Sequence, residues 1–184
     1  MSTRSLIAMQ IEEDKYRTIY CHSDGYLTYN GAMLLDYYNT PEKVKELIDL
    51  GSISYLAKKL NPDPLKPHSF NFGERQEDVV VAYGRDRGEK DVEAKNKTLA
   101  ELNDPNTWAE YIYVFTQDNK WSYFIPGHSY AISDVETDLN SIYEKYGVNR
   151  PEDYYGFVDE EIIACLKEEK MVTPLEDNSG MEMT

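Results

Sequence analysis

Cys21 and His22 stand side by side in "YCHSDGYLTYNG", residues 20–31, with Asp24 two positions on and three tyrosines around them. A thiol beside an imidazole suggests nucleophilic catalysis. An imidazole two residues from a carboxylate suggests a small hydrolase's base or half of a metal site. The spacing argues against the first reading: if the entering strand runs through both residues, their side chains point to opposite faces and the thiol cannot use its neighbour. Cys21 is then a small buried hydrophobe. A metal needs three or four converging ligands, but His68 and His128 are remote, in the turn-like contexts "PHSF" and "GHSY", and Cys21 and Cys165 match no zinc spacing. No metal or cofactor is expected. "SDGY" has the composition of a turn in which Gly25 takes positive φ and Asp24 bonds its own backbone. The stretch reads as a tyrosine-walled turn in which His22, Asp24 and Tyr26 contribute to a recognition surface.

A second candidate is "AYGRDRGEKD", residues 82–91. Arg85 and Arg87 are two forked guanidiniums near a strand end, suited to gripping a phosphate or a partner's carboxylate. The glycine pattern is neither that of a dinucleotide fold nor that of a P-loop, and Asp86 and Glu89 are close enough to satisfy the arginines locally.

The third candidate is charge. The chain of 184 residues carries 34 acidic against 19 basic residues, a net of −15, which repels nucleic acid and anionic membranes at long range and favours basic partners. From position 151 onward ten carboxylates face only Lys167 and Lys170. Within that run Asp159, Glu160, Glu161, Glu168 and Glu169 form the cluster best placed to meet a basic protein surface, the alternative being a solvated acidic face.

The elements that must hold these residues follow from periodicity. "SLIAMQI" and "YRTIYC" around "EEDK" read as a hairpin, and "GAMLLDYYNT" as a short helix. "TPEKVKELIDLGS" is a helix with Thr40 as cap, Pro41 at its first position, a Val44, Leu47 and Ile48 stripe, and Gly51 as stop. "SISYLAKKL" is expected to add a turn or two of helix, "VVVAYG" a buried strand, and Lys90 to Leu102 a weakly amphipathic helix. "WAEYIYVFTQDNKWSYFIPG" reads as a second hairpin turning at Asp118 and Asn119, and Asp134 as the N-cap of "VETDLNSIYEKYG". "VDEEIIACLKEE" closes the fold. The expectation is one α+β domain over 1–170, a mainly antiparallel sheet built from hairpins with several packed helices, followed by an acidic, disordered tail at 171–184. Hydrophobic content of 41% supports a core, no run reaches the about eighteen apolar residues a membrane span requires, and the N-terminus lacks a secretory pattern. A cytoplasmic protein with reduced thiols is expected.

Taken together, "STRSLI", "YCHSDGY", "GAMLLDYYNTPEKVKELIDLG" and "VAYGRDRGE" resemble a group of small acidic proteins of clostridial phages and prophages that includes a Cas9-inhibiting anti-CRISPR. The resemblance covers residues 2–89. It implies a counter-defence protein in the bacterial host cell: a non-enzymatic inhibitor that binds Cas9 with its guide RNA and blocks DNA binding or cleavage. An acidic surface that occupies a basic nucleic-acid channel is physically consistent with that role. Two alternatives remain open from the residues themselves. One is a sponge for a nucleotide immune signal, with Arg85 and Arg87 on its phosphates; the other is a small hydrolase using His22 and Asp24.

Overall fold

The structure is a computed structural model describing residues 2–127 and 132–145. The acidic cluster Asp159, Glu160, Glu161, Glu168 and Glu169, the helix expected around it, Cys165, His128 and the tail all lie outside the described residues.

The fold is α+β: among the described residues, a mixed, mostly antiparallel eight-stranded sheet with packed helices. Strands β1 (Ser5–Glu12) and β2 (Lys15–Cys21) form the expected hairpin. β6 (Tyr111–Phe115) runs parallel to β1 and antiparallel to β7 (Trp121–Phe124), whose other edge takes β8 (Ser133–Asp134). On the far side, β2 meets β3 (Ile53–Tyr55) in parallel at Cys21, and β3 pairs with β4 (Val81–Ala82). β5 (Lys95–Lys97) pairs with β2 further back, at Tyr16 to Thr18.

Alternation along the strands divides the side chains into two clusters. Ile7, Ile19, Cys21, Tyr113 and Tyr123 face α1 (Ala32–Tyr37), α2 (Pro41–Asp49) and α5 (Val135–Lys145), forming the main core. Leu6, Ala8, Tyr16, Ile112, Val114 and Phe124 face the other way, where they meet Leu102 of the short α4 (Leu99–Leu102) and Ala109. Among the described residues this second face is thinly covered, and the end they leave open carries a cleft.

α2 follows its local signals. Thr40 accepts a hydrogen bond from the Lys43 N–H at 3.3 Å, and Val44, Leu47 and Ile48 are fully buried, each contributing roughly 1.5–3 kcal/mol by area removed from water. Arg17 of β2 and Lys45 both bond Asp49, tying the helix to the sheet. Asp134 accepts from the Thr137 N–H at 2.8 Å and caps α5, and Asn119 takes the positive φ of the second hairpin turn.

Three expectations are corrected. "SISYLAKKL" is not helical: Ile53 is fully buried, and the His22 and Ser23 N–H groups bond the Ile53 and Ser54 carbonyls at 3.1 and 3.0 Å, so strand pairing overrides local preference. The helix expected over 90–102 is instead β5, which satisfies the outer edge of β2, followed by only four residues of α4 under a Thr98–Glu101 capping box. "VVVAYG" is buried as expected over Val79–Ala82, but it pairs as β4 only at Val81 and Ala82 before turning into α3 (Tyr83–Arg87).

Candidate functional site

The Cys21 and His22 pair separates across the sheet. Cys21 is fully buried on the helix side, its sulfur 3.3 Å from Asn30 Nδ2, and burial pushes its thiol up to about 11. His22 lies on the opposite face, where its Nδ1 is 3.0 Å from the Tyr20 hydroxyl. The two cannot act as nucleophile and base. Asp24, not Gly25, takes the positive φ, at 54°. Gly25 is required for a different reason: a Cβ there would stand 2.9 Å from both Ser5 Cβ and the Thr3 carbonyl. The Tyr113 hydroxyl fastens the Gly25 carbonyl at 2.6 Å, and Asn30 N–H that of Asp24 at 3.2 Å. Burial raises the Asp24 carboxyl against the opposing hydrogen bond from Tyr26. Tyr26 itself is only 8% exposed and sits in the core, supporting the loop from beneath rather than offering a contact surface. Among the described residues no three His, Cys, Asp or Glu side chains gather as a metal site would require.

His22 stands between two open clefts, each of about 750 Å³. The first lies on the thinly covered face of β2, between the strands that share its edge; Arg4, Tyr20, Tyr83, Lys95, Lys97 and Trp108 line it. The second, which also contains Asp24, lies between the 20–31 loop and the long segment from 61 to 78, with Tyr55, Phe72 and Arg75 on its walls.

That segment has only one short 3-10 turn, Phe72–Glu74, yet it is closely braced. Gln76 bonds the Asp63 N–H through its oxygen at 2.8 Å, and the Asp63 and Lys66 carbonyls through its amide at 2.9 and 3.0 Å. His68 Nδ1 accepts from the Gln76 N–H at 3.0 Å, and its Nε2 is 3.2 Å from Asp86 Oδ2, with both side chains 3% exposed. Asp86 also accepts from the Ala82 N–H at 2.8 Å and from Arg85. Burial works to raise the Asp86 carboxyl, but these donors outweigh it and hold it below the usual carboxylate range. His68 is therefore fixed in the segment by its Nδ1 bond and by its buried position against Asp86.

The arginines of the 82–91 stretch serve different ends. Arg85 is a strut: it bonds Asp86 and donates to the Leu60 and Val80 carbonyls at 2.7 and 2.6 Å, leaving its fork occupied. Arg87 pairs with Glu89 and lies against the Phe70–Tyr83 ring pair, whose centroids are 5.4 Å apart, its guanidinium carbon 4.4 and 5.0 Å from the two rings. Arg75 extends these contacts, 5.3 Å from the Phe70 ring and 4.3 Å from that of Phe72. A contiguous cluster of rings and guanidiniums thus runs from Phe72 through Arg75 and Phe70 to Tyr83 and Arg87. At its outer end Phe72 remains 87% exposed, and Leu65 of the same segment is 92% exposed.

Sequence reasoning did not single out Leu65, Phe72, Arg75, Arg4 or Trp108. The signal available for the first three was "FNFGER", aromatic residues and an arginine in an otherwise polar, proline-containing loop. Arg4 and Trp108 meet only through the parallel β1–β6 pairing, which no local pattern announces.

No family model matches the chain, and neither a search of curated proteins nor one of solved structures returned a match. No helix among the described residues is long and apolar enough to cross a membrane.

Proposed function

We propose that this protein is a non-enzymatic, phage-encoded counter-defence inhibitor that docks on a Cas9-type effector and blocks DNA binding or cleavage. The observation that carries the reading is the braced 61–78 segment, which holds Leu65 and Phe72 in solvent beside Arg75 on a chain of net charge −15. Large exposed apolar side chains on a pre-ordered loop are what a protein interface uses as anchors, because the ordering cost has been met before binding. The acidic surplus supports approach to a basic nucleic-acid channel and sets the salt dependence of association. The resemblance over residues 2–89 supplies the partner class.

The test is capture of purified Cas9–guide RNA by the tagged protein, followed by a DNA-cleavage assay. Capture with lost cleavage, weakened about ten-fold or more by Phe72→Ala, is expected for an anchor residue. No capture at low salt rejects the reading.

A further inference from the structure

We infer that the cleft between β5 and β3 on the second face of the sheet is a binding site for a small nucleotide, a stacked base carrying phosphate. The inference goes beyond the inhibitor reading and does not depend on it. The cleft exists because β2 changes neighbours: β5 pairs with it from Tyr16 to Thr18, β3 only at Cys21, and the backbone N–H of Tyr20 in between bonds the Ser52 hydroxyl at 3.2 Å. The interruption leaves an opening beside Tyr20 with the buried Thr18 at its floor, and aromatic and cationic residues converge on it from separate parts of the chain.

Two independent features select the ligand. The first is charge. In a chain with nearly twice as many acidic as basic residues, Lys15, Arg17, Lys45, Arg85 and Arg87 are all in ion pairs. Arg4, Lys95 and Lys97 make no ion pair among the described residues; Lys43, Lys59, Lys66, Arg75, Lys90 and Lys120 share that property at scattered positions, whereas Arg4, Lys95 and Lys97 gather on this one cleft. Lys95 and Lys97 lie opposite Thr18 and Tyr16 in the β2–β5 register, so alternation sends both to the cleft side. Three unpaired cations held around one opening suit a phosphate. The second feature is the aromatic surface. Trp108 is 77% exposed at the rim with Arg4 5.4 Å from its ring centroid, and Tyr20 and Tyr83 form further walls. An exposed indole beside cations is the arrangement on which bases stack. Asp91, Glu93 and the Arg87–Glu89 ion pair also line the cleft; the Asp91 and Glu93 carboxylates can accept from an amino-bearing base edge, but they disfavour a long polyanion threading through. The net charge of −15 argues the same way, against a nucleic-acid polymer and for a small ligand.

The structure supplies its own reporter, because the chain has two tryptophans and the other, Trp121, is 3% exposed with its indole N–H bonded to the Tyr38 carbonyl at 2.7 Å. Titration of nucleoside mono-, di- and triphosphates and cyclic dinucleotides at about 50 mM salt, where surface charges are weakly screened, should quench Trp108 and release heat in calorimetry. Inorganic phosphate alone and nucleoside alone should bind far more weakly than the combined molecule. Trp108→Ala should weaken calorimetric binding about five- to hundred-fold, the range for loss of one stacked base, and Lys95→Ala with Lys97→Ala at least about ten-fold. These positions are at the surface, so far-ultraviolet circular dichroism should remain that of the parent. Silence across the panel up to about 1 mM overturns the proposal, as does full binding by the double lysine variant. Tighter binding of a single-stranded oligonucleotide than of any small nucleotide overturns it as well.

Discussion

Replacing Asp86 with alanine removes the post that joins the 61–78 segment to α3. The side chain is 3% exposed, accepts from the Ala82 N–H at 2.8 Å and from Arg85 at 2.8 and 3.0 Å, and lies 3.2 Å from His68 Nε2. Alanine leaves the Ala82 N–H and Arg85 short of an acceptor, and removes the carboxylate beside His68, in a place water reaches poorly. Breaking a buried charged pair costs about 3–5 kcal/mol. Arg85 keeps the Leu60 and Val80 carbonyls and its side chain is 24% exposed, which places the cost at the lower end, about 3 kcal/mol. For a chain of this length that lowers Tm by about 6–12 °C. Asp86→Asn keeps an acceptor for the Ala82 N–H and should fall between parent and alanine. Urea denaturation gives the magnitude, and limited trypsin digestion tests its location, since cleavage after Arg75 requires the segment to open. A loss below about 1 kcal/mol, or equal cleavage rates at Arg75 in parent and variant, refutes the assignment of Asp86 as the clamp.

Cys21 should resist alkylation: with its thiol pushed up to about 11, only about one molecule in a thousand is thiolate at pH 8, so iodoacetamide labelling followed by peptide mapping should be at least about 100-fold slower than in urea. Gly51→Ala should cost at least about 2 kcal/mol in urea denaturation, because the residue has φ +82° and its Cβ would sit 2.6 Å from the Val92 carbonyl oxygen. Acid should loosen the 61–78 segment before the main core. A carboxyl depressed in the folded state stabilises above its unfolded pKa, and that contribution is lost as pH falls through the folded value; for Asp86 this means a loss beginning near pH 4 and continuing below it, read by hydrogen exchange at Phe70 and Gln76.

Elements whose signals are local were legible in the sequence. The two hairpins, the Thr40 cap and apolar stripe of α2, and the Asp134 cap of α5 each depend on neighbours within a few positions. Elements defined by distant pairing were not. Ile53 becomes a strand residue because the end of β2 offers it a partner, and Lys95–Lys97 because β2 has an open edge some eighty positions earlier. The same division holds for the sites. The opposite orientation of Cys21 and His22 follows from strand alternation and could be read directly, whereas the positive φ at Asp24 and the crowding at Gly25 depend on the Thr3 to Ser5 backbone lying across the loop. Arg85 and Arg87 look equivalent in sequence. Only the fold separates them, by placing the Leu60 and Val80 carbonyls around one and the Phe70 and Tyr83 rings around the other.

The 61–78 segment poses an energetic question. Ordering a stretch with so little regular secondary structure costs about 1–2 kcal/mol per residue in backbone entropy, and a loop ordinarily offsets this by burying its own apolar side chains or else stays loose. Here the two largest apolar side chains at its surface, Leu65 and Phe72, bury almost nothing. The offset comes instead from polar closure: Gln76 gathers three backbone groups, Ser69 bonds Glu74 at 2.6 Å, and the Phe70 N–H meets the Asp86 carbonyl at 3.1 Å. The cluster of rings and guanidiniums adds contact at little side-chain entropy, since Phe70 and Tyr83 are stiff. A chain that needed only to connect β3 to β4 could use a far shorter link. Order achieved through polar groups while apolar tips stay outside is an arrangement that leaves hydrophobic gain to be realised against a second molecule.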